Sequence, residues 1–186
     1  MSERKGDWIQ TYTGRRFWPL DPRPEDVAIE DIAHALSLIC RFGGHCLRFY
    51  SVGQHSIYVS QHCDPADALA GLLHDGSETY LLDMLRPVKR DMPDYRAAEA
   101  RCQWAVYEAF GLPPETPASV KRADRSMLLT ERQQIMAPTD EVWDVDGYSP
   151  INVRIAHCSP RAVEQLFLDR FELLGGVDFL RQARAH

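Results

Sequence analysis

The residues with the most chemistry to offer are His74 and Asp75, adjacent in Leu72-Leu73-His74-Asp75-Gly76-Ser77-Glu78. An imidazole nitrogen and a carboxylate oxygen side by side are two donors for a cation. A stable site needs three or four, converging from separate elements. His55, in SVGQHSIYVS, and Asp124, in VKRADRSMLL, are the candidates; each sits among apolar residues, where a polar group without a partner is costly. Two nitrogens and two oxygens suit Mn, Co, Fe, Zn or Mg, with positions left for water. Glu78 follows Asp75 by three residues and His74 by four, a spacing that puts all three on one helix face. A carboxylate there can act as general acid or base toward a water that the cation activates. A His-Asp dipeptide alone is more often a satisfied polar pair of the core; the two flanking donors weigh against that reading. His62 is the rival to His55, but it precedes Cys63-Asp64-Pro65, where a helix should end.

The elements that must position these groups read as mainly helical, about six helices with minor β-hairpin structure. Residues 8–23 mix aromatic and β-branched residues around Gly14 and predict a short hairpin or extended stretch. Residues 24–44 predict a helix started by Pro24 and stopped by Gly43-Gly44, with Ile29, Ile32, Ala33, Leu36 and Ile39 in one apolar stripe. A second helix is expected over 52–62. A third, started by Asp64-Pro65, is expected over 65–82 and would carry the His-Asp pair, with Pro87 closing the region. Further helices are expected over 93–110 and 119–136, and a last one capped by Ser159-Pro160 and ended by Gly175-Gly176. Residues 137–150 read as a loop or short hairpin, and Ile151-Asn152-Val153-Arg154-Ile155 as an edge strand. No linker divides the chain, so residues 1–186 read as one domain.

Composition narrows the partners. A net charge of -6 over 186 residues argues against stable nucleic-acid binding, which wants a basic surface. It leaves room for a small phosphorylated substrate, since Arg86, Lys89 and Arg90 form a basic cluster after the catalytic stretch. Five cysteines with no Cys-x-x-Cys spacing read as reduced thiols. The polar start and the lack of any apolar run near ~18 residues predict a cytoplasmic protein that does not span a membrane.

The order histidine, His-Asp and distal aspartate resembles the HD-domain metal-dependent phosphohydrolase superfamily. The stretch HDGSETYLLDMLRPVKR, from His74 to Arg90, is similar to its bacterial 5'-deoxynucleotidase branch: His-Asp, a glutamate three residues on, a further aspartate, then Pro-Val-Lys. The resemblance covers roughly residues 15–127. It implies an HD-domain helical bundle in which His55, His74, Asp75 and Asp124 hold one divalent metal ion. It implies a catalytic role for Glu78, sugar recognition by Asp83 and phosphate contact by Lys89. An Arg-Trp element of that branch maps to Arg15-Arg16-Phe17-Trp18, where Phe17 intervenes, so either Arg15 or Arg16 is the expected phosphate contact and Trp18 packs on sugar or base. Gln54 stands where that branch has glutamate. The implied reaction is hydrolysis of deoxyribonucleoside 5'-monophosphates by a homodimer or higher homo-oligomer. The rivals are a deoxynucleoside triphosphate triphosphohydrolase, such as a dATP-directed enzyme, and a nucleotide- or metal-binding module without turnover.

Overall fold

The computed structural model describes residues 4–141, 143 and 147–176. They form eight α-helices and one two-stranded antiparallel hairpin: β1 (Ile9–Gln10), β2 (Arg16–Phe17), α1 (Ile29–Leu38), α2 (Val52–His62), α3 (Ala68–Leu72), α4 (Glu78–Leu81), α5 (Arg86–Arg90), α6 (Pro93–Ala109), α7 (Ala118–Ile135) and α8 (Pro160–Leu173). The mainly helical expectation holds, with the helix count raised by two. The third predicted helix is split into α3 and α4, and Pro87 lies in the first turn of the short α5 instead of closing the region.

Helix α2 is the centre of the bundle, packed against α1, α3, α7 and α8. It starts where the sequence says it should: the Ser51 hydroxyl accepts from Gln54 N, satisfying one of the free amides of the first turn. Ser159 does the same for α8 through Ala162 N. The core runs from Phe17 on the hairpin to Phe171 on α8, through fully buried Ile32, Leu36, Leu72, Leu73 and Met127. Phe17 stacks on Tyr80 of α4, ring centroids 3.6 Å apart, which fastens the hairpin to the bundle.

Three predicted boundaries move, each for a physical reason. Pro24–Asp26 is a separate 3-10 turn, because Val27 and Ala28 run extended and bury their side chains before α1 begins. α1 stops at Leu38, well before Gly43-Gly44, because the next residues leave to pair with the start of α2: Val52 N donates to Ile39 O at 3.0 Å, beside a Cys40–Ser51 bridge. Residues 151–155 make no strand. Side chains of α7 satisfy their backbone instead: Thr130 Oγ1 accepts from Ile151 N, while Gln134 accepts from Ile155 N and donates to Val153 O. The expectation for 137–150 falls partly on 142 and 144–146, outside the described residues. Among the described residues no helix is long and apolar enough to cross a membrane. All five cysteines are free thiols.

Candidate metal centre and its cleft

The third predicted helix breaks after Leu72, so His74 and Asp75 sit in a tight turn over residues 73–77 and not on a helix face. Gly76 is the reason that this turn lies where it does. A Cβ there would meet Val106 Cγ1 of α6 at 2.7 Å and Leu73 O at 3.0 Å, so only glycine lets the turn press against α6. Gly71 plays a similar part on the other side: a Cβ would stand 2.9 Å from Cys63 Sγ and 3.1 Å from Ser60 Cα, and its absence draws α3 onto α2. Its carbonyl then accepts from His74 Nδ1 at 2.9 Å, which leaves the ring's Nε2 facing inward.

Three elements now converge. His55 comes from the middle of α2, His74 from the turn and Asp124 from α7, and one donor atom of each lies within 4.8 Å of the others. Asp75 joins them: its Oδ2 is 3.2 Å from His74 Nε2 and 3.8 Å from His55 Nε2. Asp124 Oδ1 is 3.2 Å from His55 Nε2. His55, His74 and Asp124 form a group that could hold a metal ion, and the local chemistry fits one. His55 Nε2 and His74 Nε2 are buried and make no hydrogen bond, nor do the neighbouring Arg41 Nε and Glu78 Oε2. Buried polar atoms without partners are rare because each costs free energy. Two imidazole nitrogens gathered with the carboxylates of Asp75 and Asp124 are a donor set that a cation fits; Arg41 Nε, an N–H donor, is not part of it.

The electrostatics follow from this crowding. Burial and Arg41 both lower the His55 pKa, but Glu131 and Asp124 outweigh them and raise it to about 9. Burial would lift Asp124, yet His55, His74 and Arg41 hold it well below the usual carboxylate range. Glu78 goes the other way: burial first, then the charges of Asp75 and Asp83, push it well above the ordinary glutamate value. Asp83 is also raised, chiefly by burial.

Two cavities open beside the cluster and share Asp75, Glu78 and Lys89. One, of about 360 Å³, adds Arg41, Phe42, Asp83, Leu85, Arg86 and Asp124. The other, of about 570 Å³, runs along α6 past Arg96, Glu99 and Gln103. Lys89 pairs with Glu99, and that contact raises its pKa against the effect of burial.

The chain is 36% identical over 166 residues to the uncharacterized protein YfdR of Escherichia coli K12, a match that covers 88% of this chain and 93% of that protein. It belongs to the YfdR family. An uncharacterized protein of Rhodobacter capsulatus is 40% identical to this YfdR-family chain over 129 residues, covering 64% of the chain and 66% of that relative. No model of a known protein family matches it.

Sequence-predicted residues divide into two groups. Asp83 and Lys89 line the cleft with Glu78 and Asp75. Arg15, Arg16 and Trp18 do not line either cavity. In the alternating pleat Phe17 points inward to Tyr80, so Arg16 and Trp18 share the outer face, with the Arg16 guanidinium 5.4 Å from the Trp18 ring. His62 is exposed and bonds Tyr58 O, away from the cluster. The Gln54 side chain donates to Ala156 O.

The residues that sequence reasoning missed are Arg41, Phe42, Tyr50 and Glu131. Arg41 is buried, with Nη1 3.7 Å from Asp75 Oδ2 and Nη2 3.1 Å from Glu131 Oε2. The Arg-Trp element sought at Arg15 to Trp18 does not recur at Arg41, which Phe42 follows, so that pattern could not have found it. Glu131 lies seven residues after Asp124, two turns along the same face of α7.

Proposed function

We propose that this chain is a metal-dependent phosphohydrolase of the HD-domain type, acting on deoxyribonucleotides and dephosphorylating deoxyribonucleoside 5'-monophosphates. The observation that carries the reading is the meeting of His55, His74 and Asp124 beside a buried glutamate, with both Nε2 atoms facing carboxylates. His55, His74, Asp75 and Asp124 are the residues that would hold one divalent ion, drawn from Mn, Co, Zn, Fe and Mg. When bound, such an ion supplies Lewis acidity toward a phosphoryl oxygen and makes water a better nucleophile at neutral pH.

The chain's own residues do the rest. Arg41 and Lys89 flank the smaller cavity and offset charge on the phosphate oxygens as it develops. Arg41 stays charged, since Glu131 and Asp75 raise its pKa despite burial. Glu78, whose pKa is raised by burial and by the charges of Asp75 and Asp83, manages protons at the reacting oxygen. Asp83, Phe42 and Leu85 line the same cavity; Asp83 would bond a sugar hydroxyl, and Phe42 and Leu85 would offer apolar surface to sugar or base.

Arg86 and Arg125, also on the smaller cavity, favour a second reading, a deoxynucleoside triphosphate triphosphohydrolase, since a longer phosphate chain needs more positive charge. One assay separates the two: purified protein with each divalent metal, a panel of deoxynucleoside mono- and triphosphates, and detection of orthophosphate against tripolyphosphate. Orthophosphate from monophosphates is the expected result. Tripolyphosphate without monophosphate turnover would replace it with the second reading, and nucleotide binding without product would remove the hydrolase assignment.

A further inference from the structure

This inference rests on the metal reading above and deepens it. Glu131 is fully buried on α7, and both of its carboxylate oxygens are engaged. Oε1 accepts from His55 Nδ1 at 2.6 Å and from the Tyr50 hydroxyl at 2.9 Å, and Oε2 accepts from Arg41 Nη2 at 3.1 Å. A carboxylate this deep is expensive to desolvate, and packing α7 against α2 would be served as well by an apolar side chain. Its consequence is geometric. With Nδ1–H donated to Glu131, the His55 ring has one nitrogen left, and that Nε2 faces Asp124 and Asp75. His74 is oriented too, but by the backbone carbonyl of Gly71. Glu131 differs because its second oxygen grips Arg41, whose other Nη reaches toward Asp75 at the cleft.

We infer that Glu131 is a positioning residue that fixes His55 for ligation through Nε2 and, through its other oxygen, holds Arg41 toward the phosphate. One buried carboxylate thereby couples the affinity for the cation to the affinity for the substrate. Tyr50 shares Oε1 and limits its rotation, so it is the lesser partner.

The test uses the full-length protein stripped of metal and titrated with Zn²⁺ against a chelating dye. Glu131→Gln keeps an oxygen for Arg41 or Tyr50 but offers no second acceptor. It is expected to bind Zn²⁺ about 10–100-fold more weakly, with its circular dichroism unchanged. At saturating Zn²⁺ its KM for the nucleotide should also rise. Nitrogen-15 histidine spectra of the Zn²⁺-loaded wild type provide a readout that needs no variant. Ligation of His55 through Nε2, with a strongly downfield Nδ1 proton, is expected. Wild-type Zn²⁺ affinity in folded Glu131→Gln would overturn this inference alone, as would ligation of His55 through Nδ1. No Zn²⁺ uptake by the wild type would overturn it together with the metal reading.

Discussion

The two walls of the cleft are built in opposite ways. On the α2–α7 wall, Tyr50, His55 and Glu131 are fully buried, Arg41 nearly so, and hydrogen bonds and ion pairs join them through Glu131. On the wall from α4 to α5, Asp83 and Met84 are half-buried, and Leu82, Leu85 and Val88 are exposed. Leu82 is strained as well: its φ of 66° with ψ of 162° belongs to a region that is nearly glycine's own. It is held by its own N–H, which donates to Glu78 O at 2.9 Å, and by the Tyr95 hydroxyl, which donates to Leu81 O at 3.0 Å and Leu82 O at 2.8 Å. The first wall has the over-determined geometry that a cation demands. The second, with few buried apolar contacts, can adjust around a substrate at low cost. Glu78 stands between the two.

Four measurements can break or sharpen this contrast. The largest effect belongs to the group at the junction. Glu78→Gln should keep its bound metal and lose about 10²–10⁴ in turnover, the usual worth of a positioned proton-transfer group; unchanged turnover would take Glu78 out of the chemistry. Next is the buried wall. Arg41→Ala takes away the guanidinium paired with Glu131, and breaking a buried pair in this way costs about 3–5 kcal/mol in urea unfolding. A loss below about 1 kcal/mol would make that wall no more rigid than an ordinary surface.

The third test is pH. In the metal-free protein the folded His55 pKa lies at about 9, above its ordinary value of 6.5. Its contribution is therefore fully present below pH 6.5 and is lost as pH climbs through 9, an amount on the order of 3 kcal/mol or less. Thermal melting of metal-free protein should show this decline, and metal binding at neutral pH should release a proton, measurable in buffers of different ionisation enthalpy. Melting that is flat from pH 6 to 9 would contradict the assigned contacts. The smallest effect is at the exposed wall: Leu82→Gly should relieve backbone strain and raise stability by about 1 kcal/mol. A fall in stability would show that the Leu82 side chain, and not the backbone, matters there.

Much of this was legible in the sequence where local physics decides. Ser51 and Ser159 sit where helix caps belong, and the donors His55, His74 and Asp124 were readable from residue type and order. What escaped depends on contacts between distant segments. The apolar pattern runs through Leu72 and Leu73 as if one helix continued, and only the closeness of Val106 explains the turn at Gly76. Residues 151–155 alternate like a strand, but their hydrogen-bond partners are side chains on α7. An arginine for phosphate was expected on the hairpin, at Arg15 or Arg16, because the family resemblance maps its Arg-Trp element there. Strand alternation turns Arg16 outward, while the Cys40–Ser51 bridge brings Arg41 to the cleft. Glu131 was within reach of a helical-face argument from Asp124, but nothing local marks it as buried.

The most direct measurement is the metal content of three purified proteins, wild type, Asp124→Ala and Glu78→Gln, by elemental analysis after exposure to Mn²⁺, Co²⁺, Zn²⁺, Fe²⁺ and Mg²⁺ in turn. The account predicts one divalent ion per chain in the wild type and in Glu78→Gln, and its loss in Asp124→Ala. A wild type that holds none of the five, or an Asp124→Ala variant that holds a full complement, would contradict it.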